Sequence, residues 1–164
     1  MKTRYLTHAA VIAALYAALT ILAAAIPAVG TFMFGPFQVR ISEALTILPF
    51  FTPAAIPGLT IGCLISNIVG VAFGLGGGIL DILFGTLATF AAALCTSRLR
   101  QSWLAPLPPV LFNAFSVAGV LAFTLNMPYW PWVLSVGMGQ VFACYGLGYP
   151  LLLVLKKHPR LFRK

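Results

Sequence analysis

The stretch GPFQVRISEALTILPFFTPAAIP, from Gly35 to Pro57, decides how the rest of the chain is interpreted. It holds Glu43, one of two acidic residues in the chain, and Arg40 stands three positions earlier. Arg40 directly precedes an apolar run from Ile41 to Phe51, and Glu43 is the third residue of that run. Because a charge near lipid is costly, it is usually kept for a transport pathway, a ligand or a paired partner. The stretch therefore predicts a functional site at the start of a membrane segment.

The composition predicts an integral membrane protein with little mass outside the bilayer. The 164 residues favour a single transmembrane domain over residues 1–164. Hydrophobic residues make up 61% and charged residues 7% of the chain, whereas a soluble domain carries about 25% charged residues. The Lys and Arg residues stand at the ends of apolar runs, so they indicate topology and not a nucleic-acid surface.

Six apolar segments are separated by Gly, Pro or charged residues, and a loop is predicted at 27–37. The segments are 5–26, 40–51, 54–71, 79–97, 104–125 and 132–155. The second is shorter than the ~17–25 residues of a full crossing, so it is tilted or lies only partly in the membrane. Basic residues near both termini and at Arg98 and Arg100 predict three cytoplasmic positions, hence an even number of crossings. The expected fold is an all-α integral membrane protein with six transmembrane helices and both termini in the cytoplasm.

This topology gathers polar side chains in the outer half and the middle of the bundle, as a cup open to the outside. They are Arg40, Glu43, Asn67, Asp81, Asn113 and Gln140. Each has a structural alternative. Arg40 and Glu43 have the spacing of an intrahelical ion pair, Asp81 follows glycines like a helix cap, and the amides suit interhelical hydrogen bonds.

Two lines of alanine follow the first segment at intervals of four residues. One line is Ala9, Ala13 and Ala17, and the other is Ala10, Ala14 and Ala18. Small residues let a second helix approach closely. The lines therefore predict either packing within this chain or a docking face for another membrane protein.

The sequence carries no constellation that indicates an enzyme. It has no nucleophile paired with a base, and its two histidines are not clustered with other metal ligands, so we expect no metal and no cofactor. The glycine run GLGGG at 74–78 lacks the Gly-Lys-Ser/Thr ending of a phosphate-binding loop. If transport is driven by ATP, the ATPase is another chain.

Three motifs resemble the queuosine-precursor transporter family, which consists of substrate-binding S components of energy-coupling factor (ECF) transporters. The motifs are FGPFQVRISEALTILPFFTPAAIPGLTIGCLISN at 34–67, GGGILDILFGTLAT at 76–89 and WLAPLPPVLFNA at 103–114. The resemblance covers nearly the whole chain. Where the family often has an acidic residue near the start of the last helix, this chain has Gln140.

The resemblance implies an S-component-like bundle in a prokaryotic cell membrane. It would capture a 7-deazaguanine such as preQ0 or preQ1 from outside, and work with a transmembrane coupling protein and two cytoplasmic ATPases. The alanine lines resemble the motif through which S components dock on the coupling protein. A carboxylate accepts two adjacent N–H donors of a guanine-like edge, and a buried amide binds the rest. Glu43 and Asp81 are both candidates for that carboxylate. Alternative functions are a small proton-coupled secondary transporter, or an S component for another vitamin-like ligand.

Overall fold

The computed structural model describes residues 2–34 and 37–158. These parts of the chain contain helices and no strand. In chain order the elements are α1 (Lys2–Ala24), α2 (Pro27–Phe34), a 3₁₀-helix (Ile41–Phe50), α3 (Ala55–Ala72), α4 (Ile79–Arg98), a 3₁₀ turn (Ser102–Leu104), α5 (Leu107–Leu125), α6 (Tyr129–Val141), a π-helix (Phe142–Gly148) and α7 (Tyr149–Lys157). The remaining basic residues of the C-terminal tail, at 159–164, lie outside the described residues.

Within the described residues, five helical stretches are long and apolar enough to cross a membrane. They are Thr3–Ala24, Ala55–Ala72, Ile79–Arg98, Ser102–Leu125 and Tyr129–Lys157. The prediction of an all-α membrane protein is therefore confirmed. The predicted segments 54–71 and 79–97 agree with α3 and α4 to within one residue at each end.

The second apolar segment forms the 3₁₀-helix at the centre of the bundle. Helices α1 and α3 run in the same direction, because a Cβ at Gly58 would lie 2.8 Å from the carbonyl oxygen of Ala9, and one at Gly62 would lie 2.9 Å from that of Ala13. The chain must therefore return along the bundle between them. At ~2.0 Å per residue, a ten-residue 3₁₀-helix spans about 20 Å, compared with about 15 Å for an α-helix of that length.

The 3₁₀-helix lies inside the bundle, because other helices enclose it on several sides. It packs against α1, α3, α4, the π-helix and α7. Ile47 and Leu48 belong to the main apolar core, together with Ile12, Leu59 and Leu152. These contacts explain why so short a segment is stable as part of the bundle.

The prediction of a loop at 27–37 was wrong for its first part, which forms helix α2. Proline suits the first position of a helix because its φ is fixed near −65°. Met33 and Phe34 are buried against Ala24 and Leu75, so tertiary packing stabilises a segment too short to be helical alone. Helix α2 covers the end of the bundle at which α1 finishes, here called the α2 end.

The last span changes its helical winding at Phe142–Gly148, where a π-helix links α6 to α7. This wider turn lies against the central 3₁₀-helix: a Cβ at Gly148 would lie 3.2 Å from the carbonyl oxygen of Ala44. Pro150, at the start of α7, has no N–H to donate to the preceding turn. At the end of α7, Lys156 Nζ donates to Ser102 Oγ over 3.0 Å, which closes the end of the bundle opposite α2.

Candidate functional site

The structure buries the six predicted site residues in two clusters, one at the α2 end and the other toward the middle of the bundle. None of the six is more than 4% exposed. Arg40, Asn67 and Asp81 form one cluster, and Glu43, Asn113 and Gln140 form the other. Because a buried polar group without a partner is costly, the contacts within each cluster decide what the site can do.

Arg40 is held by three helices at once. Its Nη1 donates to Asn67 Oδ1 over 2.9 Å, and its Nε donates to the carbonyl oxygen of Met33 over 3.3 Å. Its Nη2 lies 3.8 Å from Asp81 Oδ2. The guanidinium carbon stands 4.3 Å from the centre of the Phe34 ring, which is a cation–π contact. The arginine therefore links α2, α3 and α4 around one fixed positive charge.

Asp81 and Asn67 complete this cluster on the facing surfaces of α3 and α4. Asn67 Nδ2 donates to the backbone carbonyl of Asp81 over 3.2 Å, and the N–H of Gly77 donates to Asp81 Oδ2 over 3.4 Å. A Cβ at Gly85 would lie 2.9 Å from Asn67 Nδ2, so glycine leaves room for the amide. Asp81 is the third residue of α4, where the helix dipole favours a negative charge. The N-cap position itself belongs to Gly78.

Glu43 starts a chain of hydrogen bonds that crosses the bundle. Its Oε1 accepts from Tyr16 Oη over 2.7 Å, and its Oε2 accepts from Asn113 Nδ2 over 3.4 Å. Asn113 Nδ2 also donates to Gln140 Oε1 over 3.2 Å. Gln140 Nε2 in turn donates to the backbone carbonyl of Gln38 over 3.4 Å. Hydrogen bonds thus join the 3₁₀-helix to α1 and α5 through Glu43, and α5 to α6 through Asn113.

The alternative of an Arg40–Glu43 ion pair is not what the structure contains. In the described chain, Arg40 forms its ion pair with Asp81 of α4. Glu43 is instead bound by the neutral groups of Tyr16 and Asn113. The two charges of the central stretch therefore serve different clusters.

Four buried polar atoms have no hydrogen-bond partner within residues 2–34 and 37–158. They are Gln38 Nε2, Arg40 Nη2, Asp81 Oδ1 and Thr86 Oγ1. The first three belong to residues at the α2 end. The two carboxylates consequently differ, because both oxygens of Glu43 accept hydrogen bonds while Asp81 keeps one oxygen without a partner.

Two residues of the site, Tyr16 and Gln38, are not predicted from the sequence. Tyr16 is fully buried and binds Glu43, although it stands in an alanine-rich run without any polar neighbour pattern. Gln38 is 1% exposed and accepts the hydrogen bond of Gln140. The only available signal was its position two residues before Arg40, between the predicted loop at 27–37 and the apolar segment at 40–51.

The two alanine lines of α1 face different surroundings. Ala9, Ala13 and Ala17 are buried, and Ala9 and Ala13 lie against Gly58 and Gly62 of α3. The second line, Ala10, Ala14 and Ala18, is exposed on the surface of the bundle. The first line thus packs within this chain, and the second forms an uncovered strip of small residues.

Comparison with known proteins gives one family and one relative. The family model described as QueT transporter matches residues 6–157. The chain is 29% identical over 142 residues to a protein of Lactococcus lactis subsp. cremoris (strain MG1363) named "Queuosine precursor transporter QueT", with 78% of each chain covered. No solved structure matches the chain.

Proposed function

Because the chain belongs to the QueT transporter family, we propose that it binds a queuosine precursor outside the cell, as the S component of an ECF-type importer. The ligand is a 7-deazaguanine such as preQ0 or preQ1. The observation that carries the proposal is the buried Arg40 cluster, in which Arg40 Nη2 and Asp81 Oδ1 have no hydrogen-bond partner in the described chain. A buried charged cluster with free hydrogen-bonding capacity is typical of a ligand site, because an unpaired group is costly until a ligand pairs with it.

We assign direct ligand contact to Arg40, Asn67 and Asp81. Asp81 Oδ1 is free to accept from an N–H of the ligand, and Arg40 Nη2 is free to donate to an acceptor. The Arg40 guanidinium, which already lies over the Phe34 ring, provides a plane on which a heterocycle can stack. These groups match a flat ligand with donors and acceptors along one edge.

The Glu43 cluster is proposed to support the ligand from beneath. Glu43 binds Tyr16 and Asn113, and Asn113 binds Gln140, so these groups are satisfied before a ligand arrives. A carboxylate has about four lone-pair positions, so Glu43 retains the capacity to accept one more ligand donor. Its main role is to hold the 3₁₀-helix, and with it Arg40, in one position.

The α2 end is proposed to face outward and both termini to face the cytoplasm. Support comes from Arg98, Arg100, Lys156 and Lys157, which all lie at or near the opposite end of the bundle. A cysteine placed at Ser102 should be protected from a membrane-impermeant thiol reagent in intact cells. A cysteine at exposed Asn126 should react. Reaction at Ser102 from outside would overturn this orientation.

The exposed strip Ala10, Ala14 and Ala18 is proposed to dock on the transmembrane coupling protein, which carries two cytoplasmic ATPases. Without a hydrophobic driving force between helices in lipid, close backbone approach along small residues is the main source of affinity. The strip is on the surface of α1, about 100° around the helix from the line that packs on α3. ATP hydrolysis would therefore occur in partner chains.

A proton-coupled secondary transporter is the second candidate. It is favoured by Glu43, a buried carboxyl whose hydrogen-bond partners are neutral, which is an arrangement found in proton relays. Uptake by cells should distinguish the two. An ATP-driven importer stops on ATP depletion and survives a protonophore, whereas a proton-coupled carrier shows the opposite pattern.

Equilibrium calorimetry of the purified chain in detergent tests the proposed ligand. We expect binding of preQ0 or preQ1 and no binding of riboflavin, thiamine or biotin. Asp81→Asn should weaken binding at least about tenfold, because a charged hydrogen bond contributes about 1.5–3 kcal/mol. Thr86→Val is the matched control on the same helix, and its affinity should equal that of the parent. Binding of a vitamin in place of a deazaguanine would sink the proposal.

A further inference from the structure

Gln38 has a backbone conformation that is unfavourable for glutamine. Its φ is +41°, in the left-handed region that favours glycine. In the described chain, the other non-glycine residue with positive φ is Asn126, which ends α5. Asparagine tolerates this region because its short side chain can bond locally, but glutamine has no such advantage. A strained residue of this kind often marks a functional site.

The surroundings of Gln38 fix this conformation from three directions. Its carbonyl accepts from Gln140 Nε2 over 3.4 Å and from the backbone N–H of Arg40 over 3.1 Å. The carbonyl of Phe37 fills the position that a Cβ of Gly139 would occupy. The backbone is thus held by α6, and the three-residue turn to Arg40 brings residues 38 and 40 together.

The side chain of Gln38 adds a second unfavourable feature. It is 1% exposed, and its Nε2 has no partner in the parts of the chain that the structure describes. Glycine at this position would avoid both the strained φ and the buried donor. The unpaired Nε2 is best explained by an acceptor group of the ligand, which accepts its hydrogen bond when the ligand binds.

Two further free groups define what the ligand must present. Arg40 Nη2 and Asp81 Oδ1 have no hydrogen-bond partner in the described chain, and the two side chains form one ion pair through Nη2 and Oδ2. Gln38 stands in a tight turn with Arg40, so its Nε2 adds a second unpaired donor to the segment that carries Arg40. The complement is a ligand edge with a carbonyl oxygen next to a ring N–H, as in a lactam. A guanine-like base has this edge, and an adenine-like base presents the reverse pattern.

We propose that Gln38 is a specificity-determining residue that donates from Nε2 to the lactam carbonyl oxygen of the ligand. Arg40 Nη2 donates to the same oxygen, and Asp81 Oδ1 accepts from the neighbouring ring N–H. This inference rests on the proposed function, because it takes the ligand to be a 7-deazaguanine. It adds a residue to the site and explains how the site rejects bases with an amino group in place of the carbonyl.

The test compares Gln38→Gly and Gln38→Met with Asn126→Gly, which removes the other positive-φ side chain away from the cluster. The probes are preQ0 and the analogue that carries an amino group in place of the ring carbonyl. We expect the parent to prefer preQ0, and both Gln38 variants to bind preQ0 at least about tenfold more weakly. Preference over the amino analogue should shrink in both. Gln38→Gly should melt at or above the temperature of the parent, and Asn126→Gly should bind like the parent.

The outcomes separate this inference from the proposal on which it rests. If the parent binds no 7-deazaguanine, the proposed function fails and this inference fails with it. If the parent binds preQ0 and Gln38→Gly retains affinity and preference, only the role of Gln38 is overturned. If affinity falls in both variants only together with the melting temperature, Gln38 serves the fold and the proposal is wrong.

Discussion

Replacing Glu43 by glutamine should destabilise the empty protein, because the hydrogen bonds around Glu43 have a fixed direction. Tyr16 and Asn113 both donate to the carboxylate, and Asn113 also donates to Gln140, which donates to the carbonyl of Gln38. An amide at position 43 replaces one acceptor by a donor. If the new NH₂ group points toward Asn113, the side-chain amide of Asn113 must rotate to present its oxygen. Gln140 must then rotate as well, and its oxygen faces the carbonyl oxygen of Gln38, where no hydrogen bond can form. If the NH₂ group points toward Tyr16, it leaves the buried hydroxyl hydrogen without an acceptor.

Either arrangement leaves one buried group mispaired, and this sets the size of the effect. A buried unsatisfied donor or acceptor costs about 1–3 kcal/mol. For a chain of this length, about 2 kcal/mol corresponds to a fall in melting temperature of roughly 4–8 °C. Tyr16→Phe is the matched comparison, since it removes one bond to Glu43 without adding a donor. It leaves Glu43 Oε1 without a donor, so it should cost about 1.5–3 kcal/mol, the value of a hydrogen bond to a charged group.

The assay is thermal melting of the purified protein in detergent without ligand, followed by calorimetry with preQ0. Glu43→Gln and Tyr16→Phe should both melt below the parent. The affinity of Glu43→Gln for preQ0 should also fall at least about tenfold, because the 3₁₀-helix that carries Arg40 loses its anchor. A Glu43→Gln protein that melts with the parent would refute the directional chain of hydrogen bonds.

Three further predictions test the packing of the helices and of the buried polar groups. Ala14→Trp should abolish uptake in cells and leave ligand binding to the isolated chain intact, whereas Ala13→Trp should prevent folding because Ala13 faces α3. Equal loss of binding in both variants would contradict an exposed docking strip. Gly139→Ala should abolish preQ0 binding in calorimetry, because the new Cβ would collide with the backbone carbonyl of Phe37. Gly119→Ala should bind normally, since the nearest atom to its Cβ would be 3.8 Å away. Normal binding by both variants would refute the close contact between Gly139 and Phe37. Thr86→Val removes a buried hydroxyl without a partner and should raise the melting temperature or leave it unchanged, so a clear fall would show that the hydroxyl is bound.

The spans that sequence predicted best are those bounded by glycine, proline or charge. The limits of α3 and α4 follow from Pro53 before the first and the glycines of 74–78 between them, because these residues act on local backbone conformation. The same local signals failed at 27–34, where burial of Met33 and Phe34 stabilises a helix that propensity alone does not.

The candidate site was predictable as a set of residues but not as an arrangement. Scarcity of charge in an apolar chain identified Arg40, Glu43 and Asp81, since such residues stand out whatever the fold. Pairing depends on tertiary contacts, so the i,i+3 spacing of Arg40 and Glu43 suggested an ion pair that the structure gives to Asp81 instead. Gln38 was invisible because its significance lies in a positive φ and a missing partner, which sequence does not display.

The π-helix at Phe142–Gly148 has a consequence for how this chain can change in length. Removal of one residue from an ordinary α-helix turns every later side chain by about 100° around the axis. In α6 or α7 such a deletion would take either Gln140 or Leu152 away from the interior, where both are now buried. A π turn already contains one residue more than the α-helix needs, so a deletion inside it yields a regular helix with both faces preserved. Single-residue insertions and deletions among related chains should therefore accumulate at this turn, between the polar site and the apolar core, and be rare in the helices on either side.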